Sequence, residues 1–408
     1  THPAWLIIIS LSIPMFMASL DNLVVTNALP VIRADLGATL EELTWTVNAY
    51  TLTFASCILM SSALADRFGR RSVFLLGVFI FTASSTWCGI SDNIGALITA
   101  RTLQGIGGSA VMPLSLALLS TSVPERLRAT AIGIWGGVAG LGVALGPLIG
   151  GAVVEGMNWH AIFWINVPFG LLCIPLVWIT IPESRGRPEP LDFLGLALVG
   201  IGLFGITYGI VRGNDAGWTS AEVLTGLIGG VALIVIFIWW ESHAASPLLP
   251  LRLFSNRSFS MANIVGFLFF FGIFGAIFIL IQFLQVVQGA NPLEAGLMTM
   301  PWTLAPFVVS PLTGLLTSRV GTRPVIVVGM ALMSIGLLWS GIILDPSVEY
   351  IHFVPPFMAA GVGMSLVFAP IAAATLQGMA PEDRATASGT NMTVRQVGVA
   401  LGVATLTA

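Results

Sequence analysis

Thirteen apolar blocks separated by short polar stretches run along the chain, near residues 5–32, 43–64, 72–90, 94–120, 128–154, 161–181, 191–211, 221–241, 259–287, 296–318, 324–344, 351–377 and 388–408. Crossing a hydrocarbon core of about 30 Å takes about 20 helical residues, so blocks of this length predict membrane-spanning helices and not the strands of a soluble core. Lipid offers no partner to a free backbone N–H or C=O, which leaves helices as the way for an open chain to span it repeatedly.

Composition supports that reading. Hydrophobic residues make up 56% of the chain and charged residues 9%, with a mean hydropathy of +0.94, whereas a soluble domain is about a quarter charged. The first block opens almost at Thr1 without an Ala-x-Ala-type cleavage signal, which favours a retained span over a signal peptide. Position 1 is not Met, so trimming at that end is expected.

The net charge is −3, and all 16 basic residues are Arg. The absence of Lys excludes a Lys nucleophile or Schiff base. With a cytoplasmic N-terminus, the inner loops hold Arg67, Arg70, Arg71, Arg126, Arg128, Arg185, Arg187, Arg252, Arg257, Arg319, Arg323 and Arg384, and the outer loops only Arg33 and Arg212. Positive residues concentrate on the cytoplasmic side of membrane proteins, so this bias predicts the orientation.

An internal repeat is visible. LADRFGRRSVFLLG at 64–77 is echoed by LTSRVGTRPVIVVG at 316–329, and PERLRATA at 124–131 by PEDRATA at 381–387. Both echoes fall in inner loops, which predicts two pseudo-symmetric six-helix bundles with the spans at 191–211 and 221–241 inserted between them. The expected divisions are 1–182, 183–256 and 257–408, the last with five of its six helices. Parallel halves place a substrate site at their interface near mid-membrane.

Several motifs carry no chemistry. GIGLFG at 200–205 fits a dinucleotide pattern but lies inside an apolar block with no preceding strand. Cys57, Cys88 and Cys173 lie in apolar blocks without paired spacing and read as small hydrophobes, and His2, His160, His243 and His352 are scattered at span ends. Asn256-Arg257-Ser258 is a sequon by pattern only, on the cytoplasmic side. No cofactor, metal or nucleic acid is expected, and nothing points to an enzyme.

Charges inside spans are rare and costly, so they nominate sites. Asp21 lies about 16 residues, or roughly 24 Å, along the first helix, where an acid can load and release a proton; it could also be an interfacial acid held by water. Arg101 is the natural partner, because a buried guanidinium keeps its charge and must find acceptors; a structural brace for helix-end carbonyls is the other reading. Gln104 shares its helix face. Arg395 is open between structural and functional roles. For the substrate cavity the candidates are Asn27, Trp45, Asn48, Tyr50, Gln104, Asn166, Gln282 and Gln285, since amides tend to face cavities and aromatics give adaptable contacts. Asp192 and Glu241 sit at span ends, so beyond Asp21 no deep acid is available. A multiply charged cation therefore fits poorly, and a monovalent lipophilic cation or a neutral amphiphile fits. Gly142, Gly146 and Gly150 form a small-residue stripe that admits a neighbouring helix, and Pro147 invites a bend.

The chain resembles the major facilitator superfamily, specifically its fourteen-helix drug:proton antiporters, over its whole length. The residues that carry the resemblance are LDNLVVTNALP at 20–30, LADRFGRR at 64–71, RTLQGIGG at 101–108, GVALGPLIGG at 142–151 and WHAIFWINVP at 159–168. Ser62 departs from the pattern, which opens with Gly there. The resemblance implies that Asp21 is the protonation site, competing with substrate. It implies that the stripe at 142–150 forms a contact sealing the cytoplasmic or central side during rocking. It also implies that Asp66, Arg67, Gly69, Arg70 and Arg71 form a gating loop, in which Asp66 faces a helix N-terminus of the other half. Ser318 replaces Asp66 in the echo, so such a latch is asymmetric. A fourteenth helix is expected beyond residue 408.

These features predict a proton-coupled antiporter that exports lipophilic or cationic small molecules by alternating access. Its expected setting is the bacterial plasma membrane, as a multi-pass monomer with its N-terminus in the cytoplasm, its partners being substrate, protons and the lipid bilayer. A dedicated exporter of one endogenous metabolite or lipid is the alternative. A non-transporting receptor or scaffold is disfavoured by the intact Asp21.

Overall fold

The computed structural model describes residues 3–185, 190, 192–377, 379 and 384–407. Regular structure among these residues is helical throughout. The first five blocks form α1 (Ala4–Leu36), α2 (Leu40–Phe68), α3 (Arg70–Gly89), α4 (Ile94–Ser122) and α5 (Glu125–Gly156). Their starts follow local chemistry: Thr39 and Glu42 exchange hydrogen bonds in a capping box at α2, and the Asn93 side chain accepts from the Ala96 N–H at α4.

The sixth block is split into α6 (Ala161–Trp164) and α7 (Asn166–Thr180). Pro168 has no N–H to offer the Trp164 carbonyl, which interrupts the ladder at that point. Next come α8 (Phe193–Ala216), α9 (Ala221–His243) and α10 (Arg257–Gln282), which continues as a π-helical turn over Phe283–Val287. The block expected at 296–318 is three pieces, α11 (Pro292–Met298), α12 (Met300–Thr303) and α13 (Ala305–Val320). Here Pro301 and Pro306 each remove the donor owed to the residue four back. The chain ends with α14 (Thr322–Ile342), α15 (Val354–Leu376) and α16 (Arg384–Thr407).

Nine of these helices are long and apolar enough to cross a membrane, or ten if the two limbs of α2, bent by 49°, count as one span. In that count α6 with α7, and α10 with its π turn, are single spans. α13 has 16 residues, short of a full crossing.

Helices α1–α7 pack on one another, as do α10–α16. The two groups meet along two seams, α2 against α16 and α5 against α11 to α13, with α1 touching α10 and α11 between them. The hairpin α8–α9 zips through Gly202, Gly205, Gly226 and Gly230, whose missing Cβ atoms let the backbones approach closely. Its α8 face lies on both α2 and α16, and so covers the first seam. The repeat has a local counterpart: the α2–α3 turn is made by Gly69 at φ +116° and the α13–α14 turn by Gly321 at φ +88°, 252 residues later.

Of the arginines expected on one side, Arg187 lies outside the described residues, as do the side chains of Arg126, Arg128 and Arg384. The start of the second echo, 381–383, lies outside them too.

Candidate functional site

At mid-length of α1, Asp21 is fully buried and its two carboxylate oxygens meet three donors. Arg101 Nη1 donates to Oδ2 at 2.5 Å; Gln104 Nε2 and Asn166 Nδ2 donate to Oδ1 at 3.0 and 2.9 Å. Arg101 and Gln104 stand one turn apart on α4, and Asn166 is brought in as the first residue of α7, just past the break before Pro168. Arg101 also donates to Gln104 Oε1 (2.7 Å) and the Thr46 carbonyl (3.3 Å), and its guanidinium lies 4.3 Å from the Tyr50 ring centroid. Asn166 donates to Ser85 Oγ as well (2.9 Å), and Ser85 in turn donates to the Phe163 carbonyl (2.9 Å). The charges of this pair cancel within one helix group, in a setting that excludes water. All three side chains that meet the Asp21 carboxylate are donors.

A second polar cluster joins the two helix groups. Asn27 Nδ2 donates to the carbonyls of Pro147 and Pro292, both at 2.9 Å, and Gln285 Nε2 donates to the Asn27 carbonyl (2.8 Å) and to its Oδ1 (3.0 Å). The approach is close: a methyl group on Gly151 would collide with the backbone of Pro292, and one on Gly296 with that of Pro147. The glycine stripe admits α1 as its close neighbour. Gly142, Gly146 and Gly150 lie against Ser19, Leu23 and Val24 of α1, in their own group, and the contact across to the other group is made at the Asn27 end by Pro147 and Gly151.

The arginine loop holds itself together. Asp66 is paired with Arg70 through Nε (2.9 Å) and Nη2 (2.8 Å), and no described residue of the other group hydrogen-bonds it. The side chain of Ser318, its counterpart in the echo, lies outside the described residues. Arg71 reaches the carbonyls of Trp178 and Ile181 and stacks over the Trp178 ring, and Arg67 lies over Phe68. Glu183, a residue that the sequence did not nominate, caps α3: it accepts from the Arg71 and Ser72 N–H groups and from Ser72 Oγ. Burial opposes its ionisation, but these hydrogen bonds prevail and hold its carboxyl below the ordinary value. A Cβ on Gly69 would lie 2.7 Å from that carboxyl group.

Comparison with known proteins places this arrangement. The sequence profile described as Major Facilitator Superfamily matches residues 11–403. The chain belongs to the major facilitator superfamily. It is 34% identical over 403 residues to multidrug resistance protein Stp of Mycobacterium tuberculosis, covering 98% of this chain and 75% of that protein. It is 33% identical over 404 residues to the tetracenomycin C resistance and export protein of Streptomyces glaucescens, with 98% and 75% covered. Among solved structures, the xylose transporter XylE from E. coli, in a partially occluded inward open conformation, superposes with a TM-score of 0.66 at 14% identity, covering 99% of this chain and 91% of that one. A likeness at that identity speaks for the fold alone.

Within this superfamily fold the remaining nominated residues fall in different places. Trp45 packs on Phe204 (5.4 Å) and Tyr208 (6.4 Å) of α8, in a cluster that also includes Ala400 of α16, and so helps seat the α8–α9 hairpin. Tyr50 is fully buried beneath Arg101, against Gly105 and Gly108 of α4. Asn48 is fully buried, and among the described residues neither of its side-chain polar atoms nor Gln282 Nε2 has a hydrogen-bond partner. The α8–α9 hairpin is tied to α2 by Arg212, which bridges Glu41 (2.9 Å) and Glu222 (3.1 Å). One cavity of about 400 Å3 opens between α13 and α15 beside Thr313, Arg319 and Leu366, and one of about 540 Å3 lies beside Gln288, Glu294 and Tyr350. Neither is lined by a nominated residue.

Proposed function

We propose that this chain is a proton-coupled exporter of lipophilic small molecules that works by alternating access, with Asp21 as the proton carrier. The observation that carries the proposal is the buried carboxylate at mid-length of α1, neutralised by Arg101 and held by two amides. A charge pair inside a membrane is expensive to keep and is retained where it is used. The relatives named for drug resistance and export, and the sequence signatures shared with drug:proton antiporters, point the same way.

In this reading the chain is arranged as six-helix bundle 1–182, inserted pair 183–256 and second bundle 257–408, and acts as a monomer in the bacterial plasma membrane. The arginine bias puts the N-terminus and the loop at Gly69 in the cytoplasm. The halves are then joined on the outer side through Asn27, while Asp66 is paired within its own loop on the inner side. That is the pattern of an inward-facing state. Because Asp21 and Arg101 belong to the same half, rigid rocking leaves their pair intact. Proton exchange then requires α1 to shift locally against α4.

The test is reconstitution into vesicles with an imposed proton gradient, following ethidium and the neutral dye 1-pyrenebutanol. Wild type is expected to move at least one dye against its gradient with counterflow of protons, and Asp21→Asn to lose the proton flux. Proton flux of wild-type size in Asp21→Asn would refute the role of Asp21. Dye movement by wild type that ignores the proton gradient would refute the coupling.

A further inference from the structure

Arg395 is the twelfth of the 24 residues of α16, at the middle of the helix. Its guanidinium carbon lies 4.2 Å from the ring centroid of Phe270 on α10 and 4.8 Å from that of Phe368 on α15. It makes no ion pair or hydrogen bond with any described residue, unlike Arg101, which has a carboxylate, an amide, a carbonyl and a ring. The sequence explains why: α10, α13, α14, α15 and α16 contain no Asp or Glu, and Glu294 of α11 is occupied in a capping box with Asn291. One half of the molecule thus holds a balanced charge pair at mid-span, and the other holds a lone cation.

The two rings stand 5.8 Å apart on adjoining sides of the guanidinium, and no described residue accepts from its N–H edge. That edge presents two parallel donors, the pattern that matches a carboxylate or another anionic oxygen. Met392, one turn earlier on α16, packs against the core of the other half, while the Arg395 side chain lies against α10 and α15 of its own half. Phe368 is 37% exposed. Phe274 stacks on Phe270 at 5.9 Å and 20°, extending the apolar wall beside the charge.

We propose that Arg395 is a substrate-binding residue for molecules that carry one anionic oxygen group, a carboxylate or an ionised phenol or enol, on a flat apolar body. The proposal rests on the export reading and narrows its substrate class. An anion there would complete the charge balance that the C-terminal half lacks, and a cation would be repelled.

The experiment uses three probes with one aromatic body: 1-pyrenebutanoate, 1-pyrenebutanol and a pyrenyl-alkyl trimethylammonium. Their dissociation constants are measured by fluorescence on the purified protein without a gradient. Wild type is expected to bind the anion at least 10-fold more tightly than the alcohol, a comparison that needs no variant to fold. Arg395→Gln should remove that preference and leave alcohol binding within about 2-fold, and Arg395→Lys should restore part of it. Equal binding of anion and alcohol by wild type, or equal weakening of both by Arg395→Gln, would overturn the proposal. Vesicle transport separates this from the parent reading: anion preference without any transport defeats export and leaves the Arg395 site standing, and export of the cation with no anion preference does the reverse.

Discussion

The pairing of Asp21 with Arg101 can be measured as an energy. Removing one member of a buried ion pair costs about 3–5 kcal/mol, because the surviving charge is stranded. After Asp21→Asn, Arg101 keeps Gln104 Oε1 at 2.7 Å, the Thr46 carbonyl at 3.3 Å and the Tyr50 ring at 4.3 Å. These partners put the loss at the lower end, about 3 kcal/mol. After Arg101→Gln, the carboxylate keeps the Gln104 and Asn166 amides at 3.0 and 2.9 Å, and a similar loss of about 3 kcal/mol is expected. Independent effects would sum to about 6 kcal/mol in the double variant. With both charges gone neither is stranded, so the double variant should lose only about 3 kcal/mol, a coupling of about 3 kcal/mol. The assay is reversible unfolding of the four proteins in mixed micelles, followed by tryptophan fluorescence and helicity. Losses that add to within about 0.5 kcal/mol would refute the reasoning, since the 2.5 Å contact would then carry no pairwise energy.

Asn27→Ala removes hydrogen bonds to Pro147, Pro292 and Gln285, so the two halves should separate at that end; spin-label distances across α1 and α11 are expected to lengthen, and an unchanged distribution would count against the clasp. Gly69→Ala combines positive φ with a Cβ 2.7 Å from the Glu183 carboxyl, whereas Gly321→Ala meets nothing within 4 Å. Strain of about 1–3 kcal/mol at Gly69 should therefore exceed that at Gly321 in the same unfolding assay. Glu183 titrates below its ordinary value of 4.5, so its stabilising contribution is present above that pH and lost as pH falls through the lowered value. Glu183→Gln should flatten the acid limb of the stability profile, and an unchanged acid limb would show that the cap at α3 contributes nothing.

Much of the fold is legible because lipid imposes a length and an apolar composition on every crossing. The helix starts and the glycine turns at 69 and 321 follow from local residue chemistry in the same way. The breaks at 165 and at 299–304 are legible only in hindsight from Pro168, Pro301 and Pro306, since proline within an apolar block can bend a helix or divide it. The pairing of Asp21 with Arg101 is readable because two opposite charges deep in one half have few other partners. Glu183 is not readable, because it resembles any loop acid and its hydrogen-bond partner Arg71 lies 112 residues away. Trp45 and Tyr50 show the limit for aromatics: ring identity says that something apolar is near, but α8 and Arg101 as the neighbours are properties of the packing.

The α8–α9 hairpin makes the two flanks of the molecule unequal. With α8 laid over α2 and α16, a hydrophobic molecule dissolved in the bilayer and drifting toward that seam meets another pair of helices before it can reach the boundary between the halves. The other seam is formed by α5 with α11 to α13. The two seams therefore present different surfaces to the lipid, one a helix hairpin and the other α5 with α11 to α13.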